Sequence, residues 1–180
     1  MSLPAATDGF SLADFKVARA IGSIYKGAAI VVIHEPVLEE IIEYSETGRS
    51  REVGGFLLGG TYGDDPTFVV VRHFHPALQA LSGGASLTFT HETWADLTRE
   101  VEQRHPGELV LGWQHTHPGF GIFLSGYDLF IHRHFFPQPH QVALVVDPQR
   151  QELGFFQWRE GEVKDCGFVC AEEPLGDRES

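Results

Sequence analysis

The 180-residue chain predicts an α/β domain with a mixed β-sheet. Short apolar runs rich in Val, Ile and Leu alternate with at least three stretches of helical periodicity, the pattern of strands covered by helices. Two of the runs, within Val53–Phe74, are joined by the turn Tyr62-Gly63-Asp64-Asp65-Pro66, which makes an antiparallel hairpin and excludes an all-parallel sheet. Composition agrees. With 42% hydrophobic and 21% charged residues, the chain fits one globular domain with a real core.

Residues 1–26 read as an N-terminal extension, in which Ser11 can start a short helix with Leu12, Phe15 and Ile21 on its apolar side. Ala28–Ile33 is a strand. Pro36 suits a first helical turn, and Val37, Leu38, Ile41, Ile42 and Ser45 follow at helical spacing until Gly48 stops them. Val53–Gly60 is a strand buried on both faces, and Thr67–Phe74 returns beside it. Pro76–Leu87 is a loop of small residues, either a plain connector or the wall of a substrate groove. Thr90 caps a helix whose apolar side is Trp94, Leu97 and Val101, and Pro106-Gly107 ends it. Leu109–Gln114 is the next strand. After a helix from Ser125 to His134, the runs Gln141–Val146 and Leu153–Trp158 close the sheet around the turn Asp147–Arg150. Residues 166–180 are expected to form an acidic, mobile tail.

The chemistry concentrates in the stretch from His115 to Asp128. Side chains alternate along a strand, so His115 and His117 at its carboxyl end point to one side. Pro118 and Gly119 force a loop, and Ser125 with Asp128 has the spacing of an N-cap and a first helical turn. Two imidazoles and one carboxylate make a three-ligand zinc set with an open fourth position, the catalytic pattern rather than the structural one. Taken singly, a His-x-His pair is more often an accident of surface or core, and Ser125 and Asp128 could be only a helix cap. Their joint occurrence favours a metal.

Glu52 stands at the entry to a strand buried on both faces, where an unpartnered charge is costly. The local sequence leaves two roles open, a catalytic carboxylate or an ion pair with Arg49 or Arg51 at the strand mouth. His73-Phe74-His75-Pro76 copies the His-x-His-Pro of the later stretch, but Gly83 and Ser86 occupy the offsets of Ser125 and Asp128. No carboxylate completes it, so His73 and His75 are not expected to be ligands. His132 and His134, two apart on a helix, face different directions and are expected at the surface or in a groove. Phe135-Phe136-Pro137-Gln138-Pro139 is either buried packing or a wall facing substrate.

The pattern His-Thr-His-Pro, six residues, Ser, two residues, Asp resembles the signature of the JAMM (MPN-plus) zinc metallopeptidases. Gly119-Phe120-Gly121 and Leu124-Ser125-Gly126 are similar to the proteasome-lid deubiquitinase branch. Glu52-Val53-Gly54-Gly55-Phe56-Leu57-Leu58-Gly59 fits the family's upstream glutamate and glycine-rich strand. The resemblance covers roughly residues 28–160 and implies a deaminase-like three-layer fold, with a catalytic domain over 27–165. It implies that His115, His117 and Asp128 hold one zinc ion per chain, that Glu52 is the general base, and that the Ser125 hydroxyl serves the oxyanion. The implied substrate is the isopeptide or peptide bond after the C-terminal tail of a ubiquitin-like protein, as in compact bacterial or archaeal members. The alternative is a non-catalytic MPN-type interaction module with a structural metal. A nucleotide deaminase would need His-x-Glu and Pro-Cys-x-x-Cys ligands, which are missing.

A formal charge of −12 and the lack of any Lys/Arg cluster argue against a nucleic-acid partner. The longest apolar run, Ala28–Ile33, is too short to span a bilayer, and Met1–Asp8 lacks the basic start and apolar run of a secretory leader. Cys166 and Cys170, the only cysteines, read as reduced and inert. The expected compartment is the cytoplasm, and no membrane partner is expected.

Overall fold

The computed structural model describes residues 18–64, 68–82 and 87–172. In chain order its elements are β1 (Ala18–Ile21), β2 (Ile30–His34), α1 (Glu35–Glu46), β3 (Gly54–Tyr62), β4 (Phe68–Pro76), β5 (Leu81–Ser82), β6 (Leu87–Thr88), α2 (His91–Arg104), β7 (Leu109–Thr116), α3 (Gly126–Phe135), β8 (Val142–Asp147), β9 (Glu152–Arg159), β10 (Glu162–Cys166) and β11 (Phe168–Ala171). Nine strands form one sheet in the order β1-β11-β2-β4-β3-β7-β8-β9-β10, and β5 pairs with β6 apart from it. The pairs β11–β2, β2–β4 and β7–β8 are parallel and the other neighbours antiparallel, so the sheet is mixed.

Strand alternation explains the layers. In β3, Leu57 faces one side while Phe56 and Leu58 face the other; in β8, Val142, Leu144 and Val146 oppose Ala143 and Val145. The first set packs under Val37, Leu38 and Ile41 of α1. The second packs under Leu97 of α2 and Ile131 of α3. A sheet apolar on both faces can be buried only between helices, which is the three-layer α/β arrangement found here.

Caps fix the helices. Pro36 stands in the first turn of α1, where its missing N–H costs nothing. Thr90 caps α2 by accepting from the Thr93 N–H.

The strands at the chain's two ends depart from the sequence reading. Within the span expected as a tail, 166–180, Phe168–Ala171 is instead a buried strand, parallel to β2 through Val169–Val32 and antiparallel to β1 through Ala20–Val169. Its four residues are too few to show a period, and both partners lie far away in sequence. β1 likewise falls inside the segment read as an extension, so Ile21 lies on a strand paired with Phe168 rather than on a helix, and the polar residues of β10 hide its period. The helix expected near Ser11 and the tail beyond residue 172 lie outside the described residues. Among those described, no helix is long and apolar enough to cross a membrane.

β7 lies near the middle of the sheet, antiparallel to β3 and parallel to β8. β3 lies close against β7 at Gly54, where an added Cβ would stand 2.2 Å from the Gln114 carbonyl oxygen and 2.8 Å from Leu87. Backbone cannot yield there as a flexible side chain would. Gly54→Ala is therefore expected to cost at least about 1–3 kcal/mol, the range for overpacking. Denaturant unfolding measures it, and an unchanged midpoint would show that β3 can move away from β7 freely.

Candidate metal centre

β7 delivers His115 at its penultimate position and His117 just past its end. Both are buried, at 0% and 5% exposure, and their Nε2 atoms stand 3.1 Å apart. Asp128 comes from the first turn of α3, and its Oδ2 lies 3.2 Å from His115 Nε2 and 3.0 Å from His117 Nε2. Three donor atoms thus form a nearly equilateral triangle.

The helix cap orients the carboxylate. The Ser125 hydroxyl accepts the Asp128 N–H at 3.1 Å, and Asp128 Oδ2 accepts the Ser125 N–H at 2.9 Å. This reciprocal capping box, with Asp rather than Glu at the third helical position, turns one carboxylate oxygen toward the histidines.

Glu52 arrives from the other side, one residue before the clamp that joins β3 to β7. The Val53 N–H donates to Thr116 Oγ1 at 2.9 Å, and the Thr116 N–H donates back to the Val53 carbonyl at 2.9 Å. Thr116, between the two histidines in sequence, therefore ties the glutamate's strand to theirs. One donor atom from each of Glu52, His115, His117 and Asp128 lies within 4.8 Å of every other. Arg49 pairs with Glu46 at 2.8 Å, so the ion pair considered for it at Glu52 is not what the structure shows.

Burial and proximity set the charges. Burial holds the His115 imidazole below its ordinary pKa, which favours the neutral ring with a lone pair to offer. Burial would push Asp128 up, but hydrogen bonds from His115 and His117 outweigh it and keep the carboxylate ionised far below its usual range. Glu52 is pushed up to about 7, first by burial, against the lowering effect of His117 and with help from the charge on Asp128.

The family model described as JAB1/Mov34/MPN/PAD-1 ubiquitin protease matches residues 26–137. The chain belongs to that family. Its relatives include the ubiquitin carboxyl-terminal hydrolase RPN11 of Saccharomyces cerevisiae, 32% identical over 126 residues, which are 69% of this chain and 40% of that protein. The NAD(+) hydrolase TcpA of a Theionarchaea archaeon is 32% identical over 128 residues, 71% of this chain and 36% of the relative. The chain therefore spans about two fifths of the length of the curated relatives it matches. A solution structure of a protein from Desulfitobacterium hafniense superposes with a TM-score of 0.64 at 20% identity, covering 84% of this chain and 99% of that one, and shows the same fold.

The donor set fits the zinc that JAMM proteins bind. Bonds of ~2.0–2.1 Å at tetrahedral angles separate ligand atoms by about 3.3 Å, close to the 3.0–3.2 Å sides of the triangle. Its donors are two imidazole nitrogens and a carboxylate oxygen, a zinc-type set.

The other histidines divide differently. His73 and His75 lie on β4, separated from β7 by β3, and are not part of the cluster. His75 Nε2 meets Asp96 at 2.7 Å and its Nδ1 faces Glu100 at 3.6 Å, so it pins α2 to the sheet. His73 stacks on His105 with ring centroids 4.0 Å apart and lies 3.5 Å from Glu108. His134 stacks on Phe130. His132 corrects the surface reading, for it is fully buried and its Nδ1 accepts the Trp113 Nε1–H at 3.0 Å. Phe136 stacks parallel to Trp113, so the aromatic segment is packing at that position.

Trp113 and His132 are the supports that sequence reasoning missed. The Trp113 ring stacks on His115 at 4.3 Å and 13°, while its N–H holds α3 through His132. Two signals were present: Trp113 precedes His115 by two on a strand, and His132 follows Asp128 by four on a helix. Burial pushes the His132 pKa down from 6.5 to about 4.

The folded state thus keeps this ring neutral while the unfolded chain takes up a proton. Its stabilising effect is complete above pH 6.5 and is lost as the pH falls toward 4. Over that window the loss approaches about 3 kcal/mol. His132→Gln, whose carbonyl can still accept from Trp113, is expected to flatten this part of the profile in denaturant unfolding from pH 7.5 to 4.5. Parallel profiles for the two proteins would show that His132 is not the acid-sensitive group.

Proposed function

We propose that this chain is a zinc-dependent peptidase that cleaves the isopeptide or peptide bond after the C-terminal tail of a ubiquitin-like protein. The observation that carries the reading is the buried triangle of His115, His117 and Asp128 with Glu52, raised to about 7, beside it. Membership of a family described as a ubiquitin protease and the printed name of the yeast relative support the substrate class.

His115, His117 and Asp128 hold one zinc ion per chain in this reading. Zinc supplies Lewis acidity and brings the pKa of water to about 7. Glu52 takes the proton of the attacking water and delivers it to the leaving amine as the carbonyl carbon–nitrogen bond breaks. A carboxyl group near neutrality suits both steps, because it can accept and return a proton at similar cost. Ser125 Oγ already accepts the Asp128 N–H, so its own hydrogen is left to donate to the oxygen that gains charge at the scissile carbonyl.

The ligand assignment is tested by metal content. His115→Ala and His117→Ala are expected to lose the single zinc, because two remaining ligands are too few. His73→Ala and His75→Ala are expected to keep it, with His75→Ala also weakening the attachment of α2. Zinc lost from either β4 variant with the fold intact would show that the wrong pair was chosen.

Glu52→Gln tests the chemistry. The amide keeps shape but cannot accept the proton, so zinc is expected to remain while cleavage of a ubiquitin-like tail fusion falls at least about 10²-fold. Near-normal cleavage would remove Glu52 from the mechanism. Zinc-loaded wild-type protein that cleaves no tail-linked conjugate would favour the non-catalytic module.

A further inference from the structure

One fully buried carboxylate is not used by the chemistry above. Asp147, at the end of β8, is 0% exposed. No cation is among its hydrogen-bond partners. Four backbone N–H groups surround it instead. Gly119, Gln149 and Arg150 donate to Oδ1 at 2.9, 3.0 and 3.0 Å, and Gly121 donates to Oδ2 at 2.8 Å.

These four bonds do two separate jobs. Those from Gln149 and Arg150 are local and shape the turn between β8 and β9, as an aspartate at a turn commonly does. Those from Gly119 and Gly121 reach across 28 and 26 residues to the loop that leaves His117. Both glycines have positive φ, +81° and +86°. This conformation costs glycine nothing and lets two N–H groups in one short loop converge on a single carboxylate.

The loop returns to the metal centre through one atom. The Gly121 carbonyl lies 3.3 Å from His117 Nδ1. A carbonyl only accepts, so this contact requires a proton on Nδ1, while Nε2 faces His115 and Asp128 and is the atom that can give up a proton for a metal. Partners of this kind fix the tautomer and ring orientation of metal-binding histidines.

We propose that Asp147 is a positioning residue for the metal centre: by gripping the Gly119 and Gly121 amides, it aims the Gly121 carbonyl at His117 Nδ1, holds a proton there and so leaves Nε2 as the ligating atom. The inference rests on the reading of His117 as a zinc ligand. It assigns Asp147 no contact with metal or substrate.

The test uses the full chain with Asp147→Asn. One acceptor oxygen is then replaced by an amide donor, which cannot bind the N–H it faces. Two measurements are made. Zinc affinity, by competition with a chromophoric chelator, is expected to fall about 10–100-fold, the effect of losing such a partner. In metal-free protein, the His117 Nδ1–H is expected to lose its protection against exchange with solvent in NMR while the backbone amides of β7 keep theirs, a local signature that general destabilisation does not produce. Asp147→Ser covers the case in which the asparagine variant does not fold. Its hydroxyl can serve the Gln149–Arg150 turn but is too short to grip both loop amides, so the same two changes are expected.

Either folded variant with wild-type zinc affinity and unchanged protection of the His117 Nδ1–H overturns the proposal. Failure of the underlying reading looks different. Wild-type protein that binds no zinc would defeat the ligand assignment, while the protection of the His117 Nδ1–H in the metal-free protein would still decide the role of Asp147.

Discussion

The site depends on keeping an ionised carboxylate and two imidazoles buried within hydrogen-bond distance of one another. Taking Asp128 out of water is costly unless its lone pairs are satisfied. Here Ser125 N–H, His115 and His117 meet the same oxygen, so the charge is compensated on several sides. The cost falls on the arrangement as a whole. If one donor moves away, the others are left as buried polar groups without partners, which makes the triangle demanding of the fold around it.

That demand accounts for the supports. The donors come from the end of β7, the first turn of α3 and the approach to β3, and β7 is tied to each of the other two elements by a bond that binds no metal. Thr116 fastens β3 to β7 beside Glu52. The Trp113–His132 bond fastens α3 to β7 on the face that carries His115. Gly54 lets β3 approach so closely that the carbonyl of Gln114 occupies the space of a side chain. Residues around the site that look ordinary in sequence thus decide how far apart the donor atoms stand.

The members of the cluster were legible because their signals are local. His115, His117, Ser125 and Asp128 fall within one strand end and one helix start, and Glu52 is flagged by a carboxylate at the mouth of a doubly buried strand. Helices α1 and α2, the β3–β4 hairpin and β7 to β9 were legible for the same reason: strong periodicity and clear caps. The misses share a physical cause. β11 is four residues long and is defined by partners nearly 140 residues away, while the exposed residues of β10 give no apolar period. The neighbouring His134 draws attention away from the relation of His132 to Asp128, one helical turn earlier. The reach of Asp147 across the sheet end exists only once β8 lies parallel to β7.

The position of β11 bears on how the chain acquires its structure. This strand lies between β1 and β2, so two elements synthesised long before it become its sheet neighbours. Until Ala171 has left the ribosome, β2 presents one open edge with unpaired N–H and C=O groups, although β4 can already cover the other. Contacts so distant in sequence carry a large loop-closure entropy and form slowly. An open apolar edge held for that long invites pairing with another nascent chain. The last few residues of the sheet therefore act as a closing seam, and the yield of folded protein depends on how quickly they reach it.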